Sequence, residues 1–162
     1  MSTLTQKETS LLKDQQKHEK VCIQKYQTYA QQASDPQLKQ LLTTYASQEQ
    51  THLDTITQML SGQVPATFSQ QGQQQQQQST LQSSTQSSSQ TQQGATTSQS
   101  DSALCSDMLM TEKFVSGAYD TAIFEFKDPA MRQALNHIQK EEQEHGQGLF
   151  EYMQSKGMYS AQ

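Results

Sequence analysis

Glu49-Gln50-Thr51-His52 and Glu142-Gln143-Glu144-His145 are one tetrad, Glu-x-x-His, written twice with an offset of 93 residues. The chain has only four histidines, and these two fall at matching places in its two halves. On a helix, positions three apart share a face, so each tetrad aims a carboxylate and an imidazole at one point. Two such helices facing each other form the core of a dinuclear metal site in a four-helix bundle.

The same offset holds without a gap from Leu11/Leu104 to His52/His145. It pairs Asp14 with Asp107, Glu19 with Glu112, Lys20 with Lys113, Tyr26 with Tyr119, Asp35 with Asp128, Pro36 with Pro129 and Leu42 with Leu135. Self-similarity over about fifty residues indicates a duplicated structural unit. With two copies, the unit is half a bundle and not a solenoid repeat.

Each copy reads as a helical hairpin. Thr5-Gln6-Lys7-Glu8 is a capping box, and the helix it opens carries Leu12, Cys22, Tyr26 and Tyr29 on one stripe. Ser34-Asp35-Pro36 ends that helix and starts the next, with Asp as N-cap and Pro in the first turn. The second helix shows Leu38, Leu42, Tyr45, Ile56 and Met59 at helical spacing and stops at Gly62. In the second copy a helix starts near Asp101, turns at Lys127-Asp128-Pro129, and the last helix runs to Gly157. Helices of about 25 residues are each roughly 40 Å long.

Between the hairpins, residues 63–100 are almost entirely Gln, Ser, Thr and Gly, with a run at Gln73–Gln78 and no charge. Such a stretch buries too little surface to offset its ordering entropy and is expected to be disordered. The expected organisation is a first hairpin at 1–62, a linker at 63–100 and a second hairpin at 101–162, both hairpins forming one domain. The fold class is all-α, a four-helix bundle. One long crossover between two hairpins is the ferritin-like arrangement; a linker this long also permits up-down-up-down order.

A net charge of −5 and a pI near 5.3 leave no basic stripe to meet phosphates, so nucleic acid is not expected as a partner. The N-terminus has no apolar leader and no 18-residue apolar run occurs, so neither a signal peptide nor a membrane span is expected. Residence in the cytosol of the synthesising cell follows. Cys22 and Cys105 do not match across the repeat and form no CxxC. They read as small buried thiols, with an intermolecular cross-link as the alternative.

The tetrads lie on apolar stripes: Glu49 and His52 among Leu42, Tyr45, Ile56 and Met59, Glu142 and His145 among Leu135, Ile138, Leu149 and Tyr152. Glu19 lies midway between Leu12 and Tyr26, and Glu112 midway between Cys105 and Tyr119, so both also point inward. Glu19 precedes the turn at Asp35 by about as many residues as Glu49 follows it. Both therefore stand about 22 Å from the turn, at one level, and Glu112 and Glu142 do the same around Asp128. Four carboxylates and two imidazoles converge on one slice of the core. Without counter-ions such a cluster costs several kcal/mol per charge, whereas two divalent cations balance it. Lys20 and Lys113 stand about 100° around their helices and do not serve. Glu141 and Glu144 have Gln48 and Thr51 as counterparts and read as surface acids; His18 and His137 read as surface residues. Tyr26 and Tyr119 read as core, with a hydrogen bond to a ligand carboxylate as the alternative.

Glu19-Lys20-Val21-Cys22, Asp35-Pro36-Gln37-Leu38, Glu49-Gln50-Thr51-His52-Leu53, Phe124-Glu125-Phe126-Lys127-Asp128-Pro129 and the ending Gly157-Met158-Tyr159 resemble the Coat F family of spore coat proteins. The resemblance covers both hairpins and not the Gln-rich segment. It implies a ferritin-like bundle, synthesis in the mother-cell cytoplasm and residence in the spore coat among other coat proteins. The six polar positions resemble the ligand set of rubrerythrin-like and manganese-catalase-like members of the ferritin-like superfamily. By that analogy Glu49 and Glu142 bridge two Fe or Mn ions, Glu19 and Glu112 are terminal ligands, and His52 and His145 each cap one metal.

Two functions follow. The first is a structural coat component that assembles with other coat proteins and with itself, its Gln/Ser/Thr arm adhesive and open to enzymatic cross-linking. The second is a di-iron or di-manganese protein that consumes peroxide. The chain has no four-cysteine module to deliver electrons, so a catalase-like reaction is the form that survives.

Overall fold

The computed structural model describes residues 3–66 and 99–159, and among these the chain forms four helices and no strand. They are α1 (Gln6–Gln32), α2 (Pro36–Leu60), α3 (Gln99–Glu125) and α4 (Pro129–Ser155). The expectation of disorder over 63–100 falls mostly outside the described residues. α3 takes in Gln99 and Ser100, two residues ahead of the expected start at Asp101.

The helix ends follow the capping chemistry in the sequence. Thr5 and Glu8 form the reciprocal capping box of α1. Asp35 caps α2 through the Gln37 N–H, and Asp128 caps α4 through the Ala130 and Met131 N–H groups. At the far ends, Gly62 and Gly157 adopt φ of 77° and 69°. The next residue in each case bonds back, Gln63 N–H to the Gln58 carbonyl and Met158 N–H to that of Met153. A left-handed residue is required there, which glycine supplies without a Cβ penalty.

Glu8 and Asp101 are equivalent under the 93-residue offset and perform the same task in opposite directions. Glu8 Oε1 accepts from the Lys127 N–H at 3.0 Å, and Asp101 accepts from the Ser34 and Asp35 N–H groups at 2.8 and 3.0 Å. The start of each hairpin thus ties down the turn of the other, which makes α1 antiparallel to α3. Because α2 is antiparallel to α1, it runs parallel to α3. Tyr152 near the end of α4 donates to Asp35 at the start of α2, so α2 and α4 are antiparallel neighbours. The end of α2 and the start of α3 therefore lie at opposite ends of the bundle. That rules out up-down-up-down order.

The apolar core is divided in two. One cluster, with Leu12, Ile56, Met59, Phe126, Met131 and Leu135, fills the end near the start of α1. The other, with Leu38, Leu42, Leu104, Met108, Leu149 and Met153, fills the opposite end. Between them lies a slab of buried polar side chains. Cys22 and Cys105 are unpaired and fully buried, and burial pushes both thiols up, so neither presents a reactive thiolate at the surface. No helix among the described residues is long and apolar enough to cross a membrane.

Candidate metal centre

All six residues of the predicted cluster enter the slab, each at most 2% exposed: Glu19 from α1, Glu49 and His52 from α2, Glu112 from α3, Glu142 and His145 from α4. The heights match because each hairpin arm has nearly equal length from its turn. The inward aim follows from the i, i+3 spacing on amphipathic helices.

The arrangement has near-twofold symmetry. His52 Nδ1 lies 3.2 Å from Glu49, 3.2 Å from Glu142 and 3.8 Å from Glu19. His145 Nδ1 lies 3.2 Å from Glu49, 3.7 Å from Glu142 and 3.5 Å from Glu112. Two groups result, Glu19–Glu49–His52–Glu142 and Glu49–Glu112–Glu142–His145. In each, one donor atom per residue lies within 4.8 Å of the others, which could hold a metal ion. Glu49 and Glu142 belong to both groups. The two imidazoles stack across the gap with centroids 5.8 Å apart.

The outer partners repeat the symmetry. The Tyr26 hydroxyl donates to Glu112 and the Tyr119 hydroxyl to Glu19, each crossing between α1 and α3. His52 Nε2 meets Glu141 at 2.6 Å and His145 Nε2 meets Gln48 at 2.8 Å. These contacts fix both rings with Nδ1 turned inward, as orienting partners of metal-bound histidines do. Glu141 is thus not the plain surface acid the sequence suggested; its side chain is 27% exposed, against 57% for Glu144. Its repeat partner Gln48 was the available signal, since two polar residues at equivalent places preceding an inward glutamate mark a shared task. Tyr26 and Tyr119 likewise do more than fill core. His137 does sit at the surface, 3.4 Å from Glu141, whereas His18 is half-buried against Phe114.

Glu19 Oε2, Glu112 Oε2 and both oxygens of Glu142 are buried without a hydrogen-bond donor. Something positive must lie between these carboxylates, a proton or a cation. Without metal, protons take the role. Burial, then Glu49 and Glu142, push Glu19 well up, and burial with Glu142 alongside pushes Glu112 to about 8. Burial also works to raise Glu49 and Glu142, but the imidazoles they touch and the proton-bearing neighbours outweigh it and hold both below the ordinary carboxylate range. Burial opposes a charged imidazole, yet Glu141, Glu142 and Glu49 lift His52 to about 12, and Glu112, Glu142 and Glu49 lift His145 to about 11. The metal-free layer is therefore neutral, with two imidazolium ions, two carboxylates and two carboxylic acids. Two divalent cations on four carboxylates and two neutral imidazoles have the same net charge, so the donor set fits a metal pair.

No curated protein and no solved structure matches this chain. Residues 100–162, which contain α3 and α4 with Glu112, Glu142 and His145, match the family model of the Coat F domain.

Proposed function

We propose that this chain is a structural component of the bacterial endospore coat whose bundle carries a dinuclear metal centre. The Coat F match supports the first half. The observation that carries the second is the set of buried carboxylate oxygens without a hydrogen-bond partner, in a slab to which both halves contribute the same residue types. Glu49 and Glu142, which belong to both groups, would serve both ions, Glu19 and Glu112 would each serve one, and His52 and His145, with Nδ1 turned inward, would complete the two positions. Iron or manganese suits this mixture of oxygen and imidazole donors. The crossover order of the helices supports a ferritin-like ancestry.

The partners are other coat proteins and further copies of this chain. Met110, Phe114 and Phe124 on α3 are more than 60% exposed and give an apolar surface for such contacts. The uncharged segment between the hairpins supplies an adhesive, cross-linkable arm. Loading purified protein anaerobically with Fe²⁺ or Mn²⁺ should yield close to two ions per chain by elemental analysis. A Glu49→Ala/Glu142→Ala variant should retain none. Wild-type protein with less than one equivalent would end the metal reading, and normal coat incorporation after deletion of 63–100 would remove the arm.

A second reading, catalase-like consumption of peroxide, is favoured by Glu49 and Glu142 serving both groups, since a lone structural cation needs no shared ligands. A metal pair supplies Lewis acidity and open coordination positions. The protein's part would be to hold both positions in register and keep Nδ1 of each imidazole turned inward.

A further inference from the structure

The two hairpins differ in the side chains they place beside the slab. A crevice of about 360 Å³ opens between α3 and α4, and its floor is Glu112 and Glu142. Leu109, Ser116 and Gly146 line its walls, with Lys113 at the mouth. Both floor residues belong to the group completed by His145. Under the 93-residue offset, Gly146 corresponds to Leu53 and Ser116 to Ile23, both half-buried on the α1–α2 face. The duplicated chain thus carries two bulky aliphatic side chains on one face and a hydrogen and a hydroxymethyl group on the other. Consistent with this, α1 and α2 pack more closely than α3 and α4. Each helix pair also carries one crossing hydrogen bond, Gln16 to Thr57 between α1 and α2 and Gln139 to the Ser116 carbonyl between α3 and α4, both at 3.1 Å.

We infer that the α3–α4 crevice is an entry and binding site for a small ligand at the Glu112/His145 position, while Leu53 and Ile23 seal the Glu19/His52 position. This rests on the metal reading above. The ligand class is a donor of two or three heavy atoms, neutral or anionic, of which azide is a convenient probe. Lys113 at the mouth favours an anion, and the glutamate floor makes a bound cation the only group there able to accept a lone pair. Gly146 is the device that keeps the route open. A Cβ built there meets only Leu109 Cδ1 at 3.8 Å and Glu112 Cβ at 3.9 Å, so glycine is not needed for packing at that point.

The test uses full-length protein loaded with Co²⁺, whose visible bands report coordination and which binds nitrogen and oxygen donors more tightly than Mn²⁺ or Fe²⁺. Azide titration of the wild type should change the spectrum of one of the two ions. Gly146→Leu, which installs the residue of the first half, should retain two ions and raise the azide dissociation constant at least tenfold. Ser116→Ile does the same from the opposite wall and guards against misfolding of the first variant. Leu53→Gly should bring the second ion into the titration. Two bound ions with azide affinity unaltered in both blocking variants would overturn the crevice alone. Wild-type protein that holds no metal would overturn both this inference and the reading beneath it.

Discussion

The distribution of protons across the slab makes the four glutamates unequal, and replacing each by glutamine exposes the difference. In the metal-free protein burial, with Glu49 and Glu142 alongside, pushes the Glu19 carboxyl well up toward its protonated form, and it accepts from Tyr119 and contacts Glu49. Glutamine reproduces that carboxylic acid closely: its carbonyl can accept from Tyr119 and its amide can donate to Glu49. Glu19→Gln and Glu112→Gln should therefore shift metal-free stability by no more than about 1 kcal/mol, since neutral hydrogen bonds replace neutral hydrogen bonds. Glu49 instead faces both imidazolium rings at 3.2 Å. Removing one member of a buried ion pair costs about 3–5 kcal/mol, so Glu49→Gln and Glu142→Gln should be strongly destabilised in chelator. With metal the gap widens. Saturation a hundredfold above Kd adds roughly 2.7 kcal/mol per site, and the shared glutamates lose this at both sites. The terminal variants lose it chiefly at one. Urea unfolding followed by helical circular dichroism, in EDTA and in Mn²⁺, measures all eight conditions. Equal destabilisation of Glu19→Gln and Glu49→Gln in EDTA would refute the proton assignment, and a metal-dependent gain surviving in the Glu49 and Glu142 variants would refute the shared-ligand geometry.

Metal loading at pH 7 should release about four protons per two ions, from His52, His145, Glu19 and Glu112, measurable with a pH indicator in weak buffer. In the folded metal-free protein Glu112 keeps its proton to about 8 against an ordinary 4.5, and His52 and His145 to about 12 and 11 against 6.5. The folded state thus binds more protons than the unfolded one above pH 5, so metal-free stability should fall as pH rises from 5 to 9 while metal-loaded stability rises; parallel urea midpoints would contradict this. Glu141→Gln should lower metal affinity about 10–100-fold by loosening His52, whereas Glu144→Gln should leave it unchanged, as read by competition with a chelator. Gly148→Ala should cost about 1–3 kcal/mol, because its Cβ would lie 1.8 Å from the Tyr45 hydroxyl, while Gly117→Ala, with nothing within 4 Å, should gain up to about 1 kcal/mol in thermal unfolding.

Sequence alone determined which side chains turn inward and at what height. Helical periodicity fixes the face a residue occupies on its own helix, and the count of residues from each turn fixes its level. Glu19, Glu49, His52, Glu112, Glu142 and His145 were legible for that reason, as were the caps at Thr5, Asp35 and Asp128. What stands opposite a side chain is decided by other helices, and periodicity carries no information about that. The antiparallel pairing of α1 with α3 rests on Glu8 reaching Lys127 and Asp101 reaching Ser34, contacts that span the chain and that a long connection neither imposes nor forbids. The Tyr26–Glu112 and Tyr119–Glu19 bonds and the capture of His52 by Glu141 depend on the same cross-helix register. The opening beside Gly146 was written in the sequence as a mismatch with Leu53. Only packing α3 against α4 shows that the missing side chain leaves a crevice lined by two of the glutamates, because a void is a property of two surfaces and neither helix possesses it alone.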